Sequence, residues 1–509
     1  MSLFTLENDN YSNHPYLMEK LISTISSYVW SDFFIYLCLF IGLYFSLRTG
    51  FLQVRYLKDM INLLFKKKKS NEGISSFQAF ALAISGRVGT GNIVGVATAI
   101  FMGGPGAVFW MWAIAFLGSA SAFVEAALAQ VYKQKEGDEF RGGPAYYIEK
   151  GLGVKWYAVL FALITIVSTG FLLPGVQSNA INGTITNAFD YSNSIVSLGG
   201  IDFTVSWVGL AVILLLTLII IGGVKRLGQA SEFIVPFMAG AYILMALIII
   251  GLNFTAIPDM FKLIFSSAFS MDATFGGIIG MAIAWGVKRG IYSNEAGQGT
   301  APHAAAAADV THPAQQGLVQ AFSVYVDTLF VCTATALMIL FTGMYNVAGS
   351  FDESGHAISL LTENLPGTPA EGFTQAAVSH HFPGFGNQFV AVALFFFAFT
   401  TIMAYYYYAE TNVAYIVKGK NKKIVIWILR VVFLFSTYFG TIKTAKLAWD
   451  LGDIGVGLMA WVNLIAIVLM SKTAMKVWKD YVSKRKQGIE DPEFNPKELG
   501  IKNADFWEK

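Results

Sequence analysis

Ser85-Gly86-Arg87-Val88-Gly89-Thr90-Gly91-Asn92 sits in the middle of an apolar segment running from about Phe77 to Phe101. At ~1.5 Å per residue that segment is long enough to cross a bilayer as a helix. Three glycines within six residues, beside an arginine and an asparagine, are a poor recipe for a continuous lipid-facing helix. A helix opened in hydrocarbon exposes N–H and C=O groups, which protein, ligand or ion must then satisfy. The stretch therefore reads as a helix break lining a site halfway across a membrane. Taken alone, Gly-x-Gly also suits close packing of neighbouring helices; the rest of the chain decides for the break.

Of the 509 residues, 55% are hydrophobic and 13% charged, against about 25% charged in a soluble domain. With a mean hydropathy of +0.55, the chain is a polytopic membrane protein. Cys38 and Cys332 both lie in apolar segments and make neither a disulfide framework nor a cysteine metal site. Met1 to Trp30 is polar and lacks the pattern of a signal peptide.

Apolar segments of spanning length run at about 31–47, 77–101, 107–131, 156–181, 205–221 and 233–252, then 276–300, 318–344, 389–415, 424–442 and 445–470, roughly eleven in all. The Lys/Arg bias orients them. Arg48, Arg55, Lys58 and the run Lys66–Lys69 mark the first connection as cytoplasmic, so the N-terminus lies outside. Lys133, Lys135, Arg141 and Lys150 also fall inside, as do Lys225 and Arg226, the cluster Lys418–Lys423 and the C-terminal tail. The long outer loops, about 182–203 and 346–388, contain no Lys or Arg. The tail from about Ser471 is charged, and Pro492 and Pro496 predict an irregular cytoplasmic end.

Setting the first helix aside leaves ten, which split into two fives of opposite orientation, the plan of inverted-repeat transporters. Residues 1–75 then hold the outer segment, a peripheral helix and a basic connection. The repeats follow at 76–254 and 255–470, with the tail at 471–509. The first helix of the second five should be interrupted too, and Ala284-Trp285-Gly286-Val287-Lys288-Arg289-Gly290 is read as that gap.

Further motifs are Gly103-Gly104-Pro105-Gly106-Ala107, Trp110-Met111-Trp112, Gly142-Gly143-Pro144-Ala145-Tyr146-Tyr147, and Ser293-Asn294-Glu295-Ala296-Gly297 after Arg289-Gly290. In this order, with Gly89-Thr90-Gly91-Asn92-Ile93, they resemble the alanine or glycine:cation symporter family over nearly the whole chain. The resemblance implies an all-α, leucine-transporter-type fold, coupling to sodium or sometimes protons, and small neutral amino acids as substrates. By the same similarity, a sodium ion would take carbonyls of Ser85 and Val88 and hydroxyls of Thr400 and Thr401.

A zwitterion needs two opposite partners. The N–H groups of Gly89, Thr90 and Gly91 begin a half-helix whose positive end suits a carboxylate. Carbonyls freed around Ala284, Trp285 and Gly286 would accept from the ammonium, with Trp285 either a wall limiting side-chain size or core packing. Gln177 either bonds substrate or glues helices, and Asn92 either joins the site or caps the second half-helix. Intramembrane charges are Arg87, Glu125, Asp327, Lys288, Arg289, Glu295 and Glu410. Arg87 with Asp327 or Glu410 is a candidate gate pair, and Lys288, Arg289 and Glu295 are alternative cytoplasmic gate residues. Gln130 and Tyr405–Tyr408 read as packing, and His380-His381 as a solvated loop pair. Sodium-coupled symport of alanine or glycine leads; glutamine or a larger neutral amino acid, and a channel or receptor on the same scaffold, are the alternatives. A His/Cys metal cluster, a P-loop and a nucleophile–base pair are all missing, which speaks against an enzyme. The expected partners are a small amino acid and lipid, with no nucleic acid and no obligate protein.

Overall fold

The computed structural model describes residues 20–65, 73–137, 139–198, 201–221, 223–269, 278–351 and 357–508. The N-terminal segment before Lys20 and the run Lys66–Lys69 lie outside the described residues. Among the described residues, eight helices are long and apolar enough to cross a membrane. They are α1 (Lys20–Arg48), α4 (Gly106–Val131), α5 (Lys155–Phe189), α7 (Gly223–Leu252), α10 (Pro313–Thr342), α11 (Gly386–Ile416), α12 (Gly419–Gly440) and α13 (Ala445–Leu469). A ninth span is a bent pair, α2 (Ser76–Arg87) and α3 (Gly91–Gly103), meeting at 53°. The two remaining apolar stretches of the sequence correspond to α6 (Trp207–Ile220) and to α8 (Ile279–Asn294) with α9 (Ala301–Ala306).

The broken helices are central. α4 packs against α8 and α10, and α5 against α11, enclosing them. α1 leans on α4 from outside, where Gly42 has no room for a Cβ against the Leu117 backbone. Outward faces are apolar, with Phe233 and Phe237 of α7 and Val431 and Phe435 of α12 exposed, as a lipid-facing rim requires.

A capping box starts α2: Ser75 Oγ accepts from Gln78 N and Gln78 Oε1 accepts from Ser75 N. The helix stops where Val88 turns extended, at φ −79° and ψ 90°. Two backbone bonds, Ile74 N to Ala307 O and Asp309 N to Ile74 O, tie the start of α2 to the end of α9.

The second gap is not where the sequence reading puts it. α8 runs unbroken through Ala284–Gly290, so the carbonyls of Ala284, Trp285 and Gly286 stay inside a helix. Gly286 and Gly290 are packing glycines here. A Cβ on Gly286 would stand 2.5 Å from Ala107 O, and one on Gly290 2.4 Å from Ile114 Cγ2, so both let α8 seat on α4. The chain opens later, at left-handed Glu295 (φ 55°), Gly297 (φ 83°) and Gly299 (φ 86°), before Pro302 restarts a helix.

Among the described residues, three antiparallel hairpins cap the bundle: β1 (Gln134–Glu136) with β2 (Glu139–Arg141), β3 (Ser194–Leu198) with β4 (Ile201–Val205), and β5 (Asn346–Phe351) with β6 (Ala357–Glu363). The tail departs from the irregular reading in its first half, which forms α14 (Ser471–Lys486) and buries Met475, Val477, Trp478 and Tyr481. Beyond it the chain is irregular yet docked. Phe494 N donates to Thr311 O at 3.0 Å, Trp507 Nε1 donates to Gln130 O at 2.9 Å, and Lys150 pairs with Asp505 at 2.5 Å.

Candidate functional site

Where α2 gives way to α3, three side chains satisfy the opened backbone. Gly89 N donates to Asn92 Oδ1 at 2.8 Å, and Thr90 N donates to Gln177 Oε1 at 3.1 Å. Thr401 Oγ1 on α11 donates toward Ser85 O at 2.8 Å, Val88 O at 3.3 Å and Phe397 O at 3.0 Å. Ser85, Val88 and Thr401 are therefore brought together, whereas Thr400 is not: its hydroxyl bonds Phe396 O and Phe397 O and faces Met238. A Cβ on Gly89 would stand 2.4 Å from Thr401 Oγ1 and 2.9 Å from Gln177 Oε1. Glycine is needed there for space, since its φ is not positive.

Asn92 does two jobs. Its Oδ1 caps the break, and its Nδ2 donates to Asp327 Oδ1 at 2.6 Å. Asp327 also receives Ser293 Oγ at 2.9 Å and Thr328 Oγ1 at 2.7 Å. This buried set of a carboxylate and two hydroxyls has the oxygen chemistry of a hard-cation site, while Asn92 turns its amide nitrogen toward it. It joins the two breaks, for Gly91 lies against Ser293, where a Cβ would meet Ser293 Cα at 3.0 Å. Alongside, Thr90 Oγ1 and Tyr292 OH are buried without a hydrogen-bond partner among the described residues. Orphaned polar atoms beside a half-helix N-terminus are what a small polar ligand would complete.

The model of the sodium:alanine symporter family matches residues 15–496. The chain belongs to that family. It is 59% identical to the putative sodium/proton-dependent alanine carrier protein YrbD of Bacillus subtilis (strain 168), over 97% of this chain and 98% of the relative. It is 51% identical to the sodium/proton-dependent alanine carrier protein of Bacillus sp. (strain PS3), over 88% of this chain and 97% of the relative. The crystal structure of MhsT in complex with L-phenylalanine aligns with a TM-score of 0.55 at 14% identity, covering 86% of this chain and 97% of that one. The shared architecture is the leucine-transporter-type fold, and the chain is a membrane transporter of the symporter family.

Charge pairing in this symporter differs from the sequence reading. Arg87 makes no ion pair among the described residues; it donates to Gln320 O at 3.1 Å and to Ser323 Oγ. Asp327 lies farther along α10, where Asn92 and Ser293 reach it first. Glu410, near the far end of α11, pairs with Arg141 at 3.1 Å, and Arg141 Nε with Glu136 at 3.2 Å. Lys288 and Arg289 converge on Asp453, at 2.6 Å and 2.8 Å. Their charges sit over Trp285, and Arg289 also over Trp449.

Lys288 and Arg289 line a cavity of about 1440 Å³ together with Trp30, Met281, Trp449 and hairpin β5–β6. That is the face of the loop read from the sequence as outer, opposite to where the cytoplasmic-gate reading of Lys288 and Arg289 put them relative to that loop. They precede the second break instead of following it. Trp285, with Ala284, lines the same cavity. His381 Nε2 meets Asn253 Nδ2 at 2.9 Å.

Asp453, Tyr292 and Asn463 were missed in the sequence. The signal for Asp453 was present, one of two carboxylates, with Asp450, inside an apolar span. Tyr292 and Asn463 carry no charge to mark them in such a segment.

Proposed function

We propose that this symporter carries alanine or glycine together with sodium by alternating access, with its N-terminus outside and its C-terminus in the cytoplasm. The observation that carries the proposal is the convergence of Ser85 O, Val88 O and Thr401 Oγ1 beside the side-chain-free cradle at Gly89. The substrate carboxylate sits at the N-terminus of α3, at Thr90 and Gly91. The ammonium takes the last carbonyls of α8, on Tyr292, Ser293 and Asn294, the part first read into Ala284–Gly286. One sodium ion takes the Ser85, Val88 and Thr401 oxygens, and the Asp327, Ser293 and Thr328 oxygens offer a second place for a hard cation. Gln177 closes the cradle from α5.

Alternating access then breaks one of two charge clusters at a time, Lys288 and Arg289 with Asp453 outside, or Arg141 with Glu410 inside. Relatives named as sodium/proton-dependent alanine carriers support the substrate and the ion, and the Lys/Arg-free outer loops support the orientation. Uptake into proteoliposomes tests it. Alanine or glycine accumulates when a sodium gradient is imposed, and neither serine nor glutamine competes as well. Uptake indifferent to sodium sinks the reading.

A further inference from the structure

We propose that the end of the chain, residues 491–507, is a strap that holds the cytoplasmic halves of the two broken helices together and lifts when the transporter opens inward. The inference takes its sidedness from the orientation proposed above and gives a role to a segment that the symport reading does not use.

The halves meet at a short backbone joint. Ile74 N, ahead of α2, donates to Ala307 O at 3.1 Å, and Asp309 N, beyond α9, donates to Ile74 O at 3.0 Å. A path from the breaks to the cytoplasm runs between α2 and α9, so opening it pulls this joint apart. The joint is held from two further sides. Ala308 O accepts from Gln130 Nε2 at 3.0 Å and from Lys133 Nζ at 2.8 Å, both at the end of α4. Phe140 of β2 lies on it as well: a Cβ on Gly73 would stand 2.6 Å from Ala307 O and 2.6 Å from Phe140 Cδ2. The next residue, Arg141, carries the ion pair to Glu410, so the joint and the inner charge cluster share one hairpin.

The tail closes over these same groups. The Lys133 ammonium, while bonded to Ala308 O, stands 4.4 Å from the ring centres of Phe140 and Phe506 and 5.3 Å from that of Trp507. Each ring face attracts the cation. Phe506 also meets Phe140 edge to face at 5.0 Å, and Trp507 Nε1 donates to Gln130 O. Farther back, Asp491 accepts from Thr311 Oγ1 and Gln315 Nε2, both at 2.7 Å, and Phe494 packs between His312 and Trp507. The strap thus runs from the start of α10, which follows α9, across the joint to α4. Lys484 Nζ to Glu493 O and Lys476 Nζ to Leu499 O, each 2.7 Å, moor it to α14. Phe506 and Trp507 are only half-buried, whereas Trp478 and Tyr481 of α14 are buried. The end of the strap can therefore peel from the joint while its mooring stays, a local opening rather than an unfolding.

Hydrogen–deuterium exchange of the full-length protein in lipid nanodiscs, with sodium and alanine present, tests the strap. Trp507→Ala should speed exchange of residues 73–80 and 301–309 about tenfold, while the outer hairpin β5–β6 stays within about twofold of wild type. Adding Phe506→Ala should speed the same two segments further. Asp505→Asn loses only the exposed pair with Lys150 and should change them less than about threefold. Unchanged exchange at 73–80 and 301–309 in the tail variants overturns the proposal. Exchange rising equally at β5–β6 also overturns it, because the tail would then be a general prop of the fold. Should Trp507→Ala fail to fold, Trp507→Phe keeps a ring by Lys133 and loses the bond to Gln130; its exchange at the two segments, faster or unchanged, decides in the same way. The two readings fail separately. Faster exchange confined to the two segments supports the strap even where sodium drives no alanine uptake, an absence that removes the symport reading alone.

Discussion

The two helix breaks solve one problem in opposite ways. The first spans Val88–Thr90, needs no left-handed residue, and hands its exposed backbone to Asn92, Gln177 and Thr401. Its glycines supply room. The second spans Glu295–Thr300 and is made by left-handed backbone, with Gly297 N held by Glu125 and Gly297 O by Asn463. Its glycines supply conformation, and it leaves the Glu295 carboxylate oxygens, Gln298 Oε1 and Thr300 Oγ1 without a hydrogen-bond partner among the described residues. A break whose backbone is answered by side chains stands opposite one shaped by left-handed backbone, a division suited to a site where one wall binds and the other responds.

The contrast is most exposed to a side chain in the first cradle. Gly89→Val should abolish alanine-dependent thermal stabilisation, because even its Cβ overlaps Thr401 and Gln177, while leaving membrane insertion intact. A retained thermal shift would mean the cradle lies elsewhere. Next, Thr401→Ala should weaken apparent sodium affinity in uptake assays about tenfold, equivalent to losing about 1.4 kcal/mol of ion interaction. Thr400→Ala should change it by less than about twofold, since that hydroxyl serves its own helix. Equal effects from the two threonines would dissolve the proposed ion site.

Gly297→Ala probes the second break. At φ 83°, and with Leu464 Cδ2 2.7 Å from the new Cβ, it should cost about 1–2 kcal/mol of stability, read as an earlier melt in detergent. If Gly297→Ala melted like wild type, the left-handed account of this break would be wrong.

The smallest expected effect lies away from both breaks, at the base of the tail. Burial alone would raise the Asp480 carboxyl, but hydrogen bonds from His312 (3.1 Å) and Lys484 (2.9 Å) outweigh it and hold it below the usual carboxylate range. The stabilisation is therefore complete above that range and fades as pH falls through the lowered value. Asp480→Asn should cost roughly 0.5–1 kcal/mol at neutral pH. The difference from wild type should shrink in acid; a constant difference would show that charge is not what anchors α14.

Much of this was legible without coordinates. Apolar length fixes a membrane helix from its own composition, and Gly-Thr-Gly-Asn in hydrocarbon, read with the rest of the chain, marks a break. Ser85, Val88 and Thr401 fell together as the family resemblance implied. The position of the second break did not yield to the same reasoning. Gly286 and Gly290 look no different in sequence from Gly297 and Gly299, yet α4 packs against the first pair and left-handed turns use the second.

Which charges meet was likewise beyond the chain alone. Asp327 could be read with Arg87, but Asn92 and Ser293 occupy it; Lys288 and Arg289 had their partner 164 residues or more away, on α13. Composition and spacing determine what a segment can be in lipid, because that is a local transfer free energy. Tertiary packing alone decided which glycine yields and which charge is answered, because those depend on what another helix brings within a few ångströms.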